Sequence, residues 1–313
     1  MIYQSLAKHP RLTVHLIDTL RKFQRLRLSS RIAMETGVTD SVVRVWLPGL
    51  PVRRPSFKMN FEQGRDLVAA DLWFKGFAAF ERPMPQLFYY SAAVRPGRVL
   101  DVGANTGLYS FIAAAAHADN KVDAFEPYPP VIDLLEKNIN LNRQFENISV
   151  HKLALGAESG STELYIPLQD HGVVESSCSL NKTFKDDHSN VIPVTVTTID
   201  QHLAESSSQR ISLVKIDVEG TEADVLRGAS NLLEKHRPLL FMEILPSADI
   251  EKINEIRDQS KYVSYQLHPD TVVREGRAEF HPNAWNHLFV PVEDRGFIPE
   301  LARSAGLALQ ENS

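Results

Sequence analysis

Between Arg98 and Ala116 the chain reads R-V-L-D-V-G-A-N-T-G-L-Y-S-F-I-A-A-A-A. Val99, Leu100 and Val102 have the composition of a buried strand, and residues 108–118 that of an apolar helix. Gly103 and Gly107, with Asn105 between them, supply a turn in which backbone at positive φ carries little steric cost. A helix opening directly after such a turn presents N–H groups and a positive dipole end, which suits nucleotide-like ligands in general. A strand, a glycine turn and a helix in this order belong to a parallel sheet.

The rest of the chain keeps that rhythm. Strands are expected over 121–126, 148–153, 212–217, 238–244, 263–267 and 287–291. Helices are expected over 130–142, 222–236, 247–260 and 298–309. Residues 156–200 interrupt it with two β arms, 162–167 and 191–199, around a polar loop carrying His171 and His188. Before the glycine turn, residues 1–30 show an apolar helical face among Arg and Lys. Residues 42–60, with Pro48, Pro51 and Pro55, read as an extended connector, and 61–80 and 87–94 as helices. The expected division is a helical extension over 1–86 for substrate or dimer contacts, then a catalytic domain over 87–313 with an insertion at 157–200.

The 313 residues are 43% hydrophobic and 23% charged, as in ordinary globular proteins. The net charge of -5 speaks against a nucleic-acid binder. Residues 1–65 nevertheless hold twelve Lys/Arg against four Asp/Glu, which allows a homodimer or an anionic acceptor at that end. Cys178 is the sole cysteine, so an intramolecular disulfide and a multi-cysteine metal site are excluded. With no secretory leader pattern and no apolar run of membrane-spanning length, the expected location is the cytoplasm.

The turn itself favours one kind of ligand. A dinucleotide turn reads G-x-G-x-x-G, whereas this one reads G-x-N-x-G. Asp101, two residues before Gly103, is poorly placed beside a pyrophosphate and well placed beside a cationic group such as a sulfonium or an ammonium. Glu126, at the end of the second strand and fixed by Pro127, can accept hydrogen bonds from both hydroxyls of a ribose.

Taken in order, V-L-D-V-G-A-N-T-G-L-Y-S, F-E-P, A-L-G, V-K-I-D-V-E-G-T-E-A-D-V-L-R-G-A and N-H-L-F-V-P resemble the FkbM family of S-adenosylmethionine-dependent methyltransferases, over roughly residues 87–293. The resemblance implies an α/β class I methyltransferase fold. Its Rossmann-like sheet has seven strands in the order 3-2-1-4-5-7-6, the last strand antiparallel. It also implies S-adenosyl-L-methionine as cofactor and O-methylation of a sugar, glycan, polyketide or related metabolite. Asp101, Gly103, Ala104, Asn105 and Gly107 would then line the methionine side. Glu126 and Pro127 would hold the ribose, and Ala154, Leu155 and Gly156 would edge the adenine.

Aliphatic hydroxyls are poor nucleophiles near neutrality, so a positioned base is expected. Asp217, Glu219, Glu243 and His287 stand at or near strand ends and are the candidates, with Asp217 equally a cofactor contact and Glu219 equally a helix cap. The acids could ligate a divalent ion, but their spacing forms no compact ligand motif, so no metal is expected. An NAD-dependent oxidoreductase of Rossmann type and a catalytically inactive cofactor-binding scaffold are the alternatives. The first lacks its glycine spacing; the second leaves Asp101, Glu126 and Asp217 without a purpose.

Overall fold

The central strands are apolar on both faces, and in a parallel sheet that requires cover on both sides. A computed structural model describes residues 42–47, 55–60, 66–167, 174, 177–184, 188–205 and 209–311. The expected helix over 1–30, the basic character of that stretch and His171 lie outside them. The chain first forms β1 (Val42–Trp46), β2 (Ser56–Asn60), α1 (Leu67–Lys75) and α2 (Met84–Val94). Next come β3 (Arg98–Val102), α3 (Leu108–Ala116), β4 (Lys121–Phe125), α4 (Pro129–Leu141) and β5 (Ile148–His151). The insertion holds β6 (Ala154–Leu155), β7 (Gly160–Pro167) and β8 (His188–Thr197), followed by α5 (Ile199–Ala204). The remainder is β9 (Ile211–Ile216), α6 (Glu222–Arg227), β10 (Leu239–Glu243), α7 (Ile250–Gln259), β11 (Tyr262–His268), β12 (Thr271–Glu275), β13 (Asn286–Pro291), α8 (Ile298–Ser304) and β14 (Ala308–Glu311).

The main sheet runs β14-β12-β11-β13-β10-β9-β3-β4-β5. Read from β5 to β11, this is the expected 3-2-1-4-5-7-6, with β13 antiparallel to both β10 and β11. Strand alternation separates two cores. Val99, Leu213, Phe241 and Leu288 pack toward α2 and α3; Leu100, Val214, Met242 and Phe289 pack toward α6 and α7.

Several expectations are corrected. The sheet has nine strands, because β12 and β14 extend it past β11. The terminal helix stops at Ser304, where Gly306 at φ 69° turns the chain and 308–311 pair with β12. The helix expected over 222–236 breaks at Gly228, where a Cβ would run into the Gly156 carbonyl. The Asp200 carboxylate then accepts the N–H groups of Asn231 (2.8 Å) and Leu232 (3.0 Å).

The connector expected over 42–60 contains an antiparallel hairpin, with Val45 opposite Phe57. Val43, Val45, Phe57 and Met59 join the core, and Phe57 stacks on Phe111 at 5.4 Å. Asn138 of α4 and Asn142, the residue that closes that helix, hold the free edge of β2. Lys58 donates its N–H to Asn142 (2.8 Å), and Asn60 donates to Asn138 (2.6 Å). The described part of 1–86 therefore contains a β-hairpin as well as helix and shares the core of the main sheet. In the insertion, β7 and β8 pair antiparallel and β6 joins them, over a small core of Tyr128, Val131, Leu164, Ile166 and Val194.

Candidate active site

Open α/β sheets place ligands beyond the carboxyl ends of their strands, and a cleft lies there. Its empty space, including open solvent at the mouth, is about 610 Å³. From the expected set, Gly103, Asn105, Glu126, Pro127, Ala154, Leu155, Asp217 and Glu219 line it. Phe125, Leu164, Cys178 and Leu180 add an apolar wall. Three of these four belong to the insertion. These described residues of the insertion line the same cleft as Ala154 and Leu155.

The glycine turn is self-satisfied. Gly103 and Ala104 donate to the Phe125 carbonyl (3.1 and 2.9 Å), Asn105 to the Glu126 carboxylate (3.0 Å), Thr106 to the Asn105 side chain (2.8 Å) and Gly107 to the Ala104 carbonyl (2.9 Å). The N–H groups of the turn, Gly103 to Gly107, are thus already engaged within the fold. Gly103 (φ 74°) is required by the fold itself, since a Cβ would strike the Asp217 carbonyl. Gly107 (φ 97°) faces Leu135, where a Cβ would come within 2.5 Å of the side chain. Ala104 and Gly107 are therefore packing positions behind the cleft wall.

Glu126 accepts from Asn105 and, through its other oxygen, from Tyr128 (2.9 Å). Burial pushes its carboxyl up to about 7, against the pull of those two N–H groups. Glu126 lines the cleft, and each of its oxygens has accepting capacity beyond the one backbone bond it takes.

Asp101 does not line the cleft. It is fully buried one layer below, accepting from the Ser110 hydroxyl at 2.6 Å. Its raised pKa follows from burial, opposed by Lys215. Lys215 was missed by sequence reasoning, although a lysine inside S-L-V-K-I-D demands a buried partner. Its Nζ bonds Asp217 (3.0 Å) and the Gly103 carbonyl (3.2 Å) and sits 5.0 Å from the Tyr109 ring centre. Burial pulls the ammonium down, but Asp217 and Asp101 raise it further, so it stays charged. Burial likewise pushes Asp217 up, yet Lys215 holds it below the usual carboxylate range. A hydrogen bond joins Asp217 to Glu243, which burial and the Asp217 charge raise well above its ordinary value. The two acids thus titrate as a pair, with Asp217 driven down and Glu243 driven up.

Glu219 has a left-handed backbone (φ 58°), and its carbonyl accepts from the Ser179 hydroxyl at 2.7 Å, tying the insertion to the cleft. No side chain caps α6, and the loop that carries Glu219 is braced instead by Glu222 at the start of that helix. That carboxylate accepts from Gly220 (3.0 Å) and Val218 (3.3 Å), and burial raises it to about 7. His287 is removed from the candidate bases. It pairs in register with Met242, so it points to the opposite face from Glu243. There its Nδ1 meets the Trp285 carbonyl (3.1 Å) and its Nε2 lies 3.4 Å from Glu275.

The strand order and a cleft over strand ends 1, 2 and 4 define a class I methyltransferase fold. Residues 101–289 match the methyltransferase FkbM domain, and the chain belongs to that family. It is 27% identical over 143 residues to Methyltransferase 1 of Beauveria bassiana, covering 42% of this chain and 57% of that one. To the hexuronic acid methyltransferase AglP of Haloferax volcanii it is 26% identical over 161 residues, covering 51% and 61%. The chain thus spans about three fifths of the length of these curated relatives. A solved FkbM methyltransferase from Methylobacillus flagellatus KT aligns with a TM-score of 0.45 at 17% identity, covering 73% of this chain and 54% of that chain. Among the described residues no helix is long and apolar enough to cross a membrane.

Proposed function

We propose that the chain is an S-adenosyl-L-methionine-dependent O-methyltransferase acting on a hydroxyl of a sugar, glycan, polyketide or related metabolite. The observation that carries this reading is the charge of the cleft. Among its described lining residues, the charged side chains are Glu126, Asp217 and Glu219, with no Lys or Arg. A pyrophosphate would meet three carboxylates and a turn whose N–H groups are already engaged. A sulfonium and an ammonium would meet the opposite charge. The relative from Haloferax volcanii, named for a hexuronic acid, supports a sugar acceptor.

The bound cosubstrate supplies a methyl group on a cationic sulfur. The chain does the rest. Glu126 holds the ribose, and Ala154 and Leu155 edge the adenine with Leu164 and Cys178. Asp217, fixed by Lys215, faces the cationic end. Holding the acceptor oxygen in line with the methyl group and away from water supplies much of the rate.

Calorimetry with S-adenosylhomocysteine and with NADH separates this reading from the oxidoreductase. Binding of the first is expected, and binding of NADH alone overturns it. Glu126→Gln is expected to weaken S-adenosylhomocysteine by about 10- to 100-fold, the worth of charge-assisted hydrogen bonds. Product gaining one methyl group by mass spectrometry identifies the transfer, and its absence across sugar and polyketide alcohols favours the inactive scaffold.

A further inference from the structure

Two of the candidate acids are poorly suited to take a proton from an acceptor: Asp217 is paired with Lys215, and Glu243 is driven upward and lies outside the cleft lining. Glu219 lines the cleft. Another carboxylate stands on the same face of the sheet as Asp217 and comes from outside the matched domain. Glu81 lies in the turn before α2 with its backbone in the left-handed region (φ 41°), a strained place for a residue with a side chain. Its carboxylate accepts a 2.8 Å hydrogen bond from the Tyr109 hydroxyl. Tyr109 stands in the first turn of α3, directly after the glycine turn, with Lys215 over its ring. Glu81 is open to solvent, whereas Asp101, Tyr109 and Lys215 around it are buried.

We infer that Glu81, held by Tyr109, is the general base of the reaction, so that the segment ahead of the methyltransferase domain completes the active site. This rests on the methyl-transfer reading above. In the step, a lone pair of the acceptor oxygen forms the C–O bond to the methyl carbon. The C–S bond breaks with its electron pair going to sulfur. The hydroxyl proton passes to the Glu81 carboxylate. A sulfonium and a carboxylate are consumed, a thioether and a carboxylic acid are formed, and charge balances.

The charged surroundings suit the role. Burial, Asp217 and Asp71 of α1 raise the Glu81 carboxyl, Lys215 and the Tyr109 bond lower it, and Glu243 adds its own coupling from β10. The net direction is upward, toward the neutral range where a base is both available and strong enough to use, with solvent at the exposed Glu81 side chain weakening the burial contribution. Tyr109 itself is held well above its ordinary value, chiefly by burial, so it remains the donor.

The full chain and its Glu81→Gln and Tyr109→Phe variants test this. Glu81→Gln is expected to lower kcat by roughly 10²–10⁴-fold and to abolish the acid limb of the pH–rate profile. S-adenosylhomocysteine affinity by calorimetry should stay within about twofold. Tyr109→Phe removes a bond to the ionised form and should move the acid limb to higher pH. In ¹³C-glutamate spectra, a carboxyl resonance titrating near neutrality should vanish in Glu81→Gln. Retention of kcat and the acid limb in Glu81→Gln overturns the inference, as does a vanished resonance that titrates in the ordinary glutamate range. Should Glu81→Gln not fold, an unmoved limb in Tyr109→Phe overturns it. A wild-type chain that binds no S-adenosylhomocysteine instead overturns the methyltransferase reading, and the resonance then still reports on Glu81 by itself.

Discussion

On one face of the sheet Arg98, Asp123, His151 and His202 meet; on the other, Glu81, Asp101, Lys215, Asp217 and Glu243. Both clusters put charge where water is scarce, and both use adjacent strands. In the first, every charge has its counterpart. Arg98 bonds Asp123 through Nε and lies 3.0 Å from His202 through Nη2, while His151 lies 2.9 Å from the other Asp123 oxygen. Burial raises Asp123, but His151 and Arg98 outweigh it and leave the carboxyl below its ordinary value. Asp123, His151 and His202 bring their ligand-type atoms within 4.8 Å of one another, yet Arg98 already neutralises the acid as a cation would. In the second cluster four acids surround one lysine. Glu81, Asp101 and Glu243 are driven upward, and one Asp101 oxygen is buried without a partner. A balanced buried network holds strands together. An unbalanced one stores the charge asymmetry that a cationic ligand and a proton transfer can use.

The largest effect should come from Lys215→Met. It strands Asp101 and Asp217 as buried acids without their cation, a loss of roughly 3–5 kcal/mol in urea unfolding. It also frees two groups of the cleft wall, Asp217 and the Gly103 carbonyl, so S-adenosylhomocysteine should bind about tenfold more weakly or worse. Arg98→Met should cost less, about 1.5–3 kcal/mol, because Asp123 keeps His151. Its affinity for the same ligand should stay within about twofold. Equal losses of affinity in the two variants would erase the distinction between the clusters.

The next effect is in pH. Glu126 and Glu222 ionise near 4.5 when unfolded and near 7 when folded. The fold therefore binds more protons than the unfolded chain between those values. Their contribution to stability is fully present below 4.5 and is lost as pH rises through about 7. The acids held low, Asp123 and Asp217, act only below their ordinary 3.8 and leave this window alone. The thermal midpoint should fall between about pH 5 and 8, and Glu222→Gln should flatten part of that fall, a change on the order of 2 kcal/mol. His202, His236 and His268, held below their ordinary value by burial, act in the opposite sense in this window, so the test is the difference between wild type and Glu222→Gln: no flattening in the variant would contradict the burial of Glu222.

The sequence carried the fold far better than the charge clusters, for a physical reason. Strand–helix alternation is local, so β3, β4, β9 and β10 could be placed to within a residue or two, and Glu126 followed from its position at a strand end. Partners across the sheet leave no local trace. Glu81 and Tyr109 are 28 residues apart, and Arg98 and His202 are 104 apart. Lys215, like Asp101, Asp123 and Glu243, left only the sign of a charge in an otherwise apolar strand, without naming its partner. Asp101 was placed in the right register but one layer too high, because its distance from the cleft depends on how Gly103 packs against Asp217. The hairpin over 42–60 was hidden by prolines that fall between its strands.

The smallest effect tests the face assignment itself. His287 and Glu243 are separated along the sheet by one register position, Asn286 pairing with Glu243 and His287 with Met242. Because alternate residues point to opposite faces, that single step decides whether the imidazole reaches the cleft. It stands on the α6–α7 side, fully buried and facing Glu275. His287→Gln preserves a polar side chain toward Glu275 while removing any imidazole base. Its kcat should stay within about twofold of wild type and its pH–rate profile should keep both shape and position, whatever modest stability it loses. A kcat reduced a hundredfold, with the ligand still bound, would place the histidine on the other face and return the proton transfer to β13.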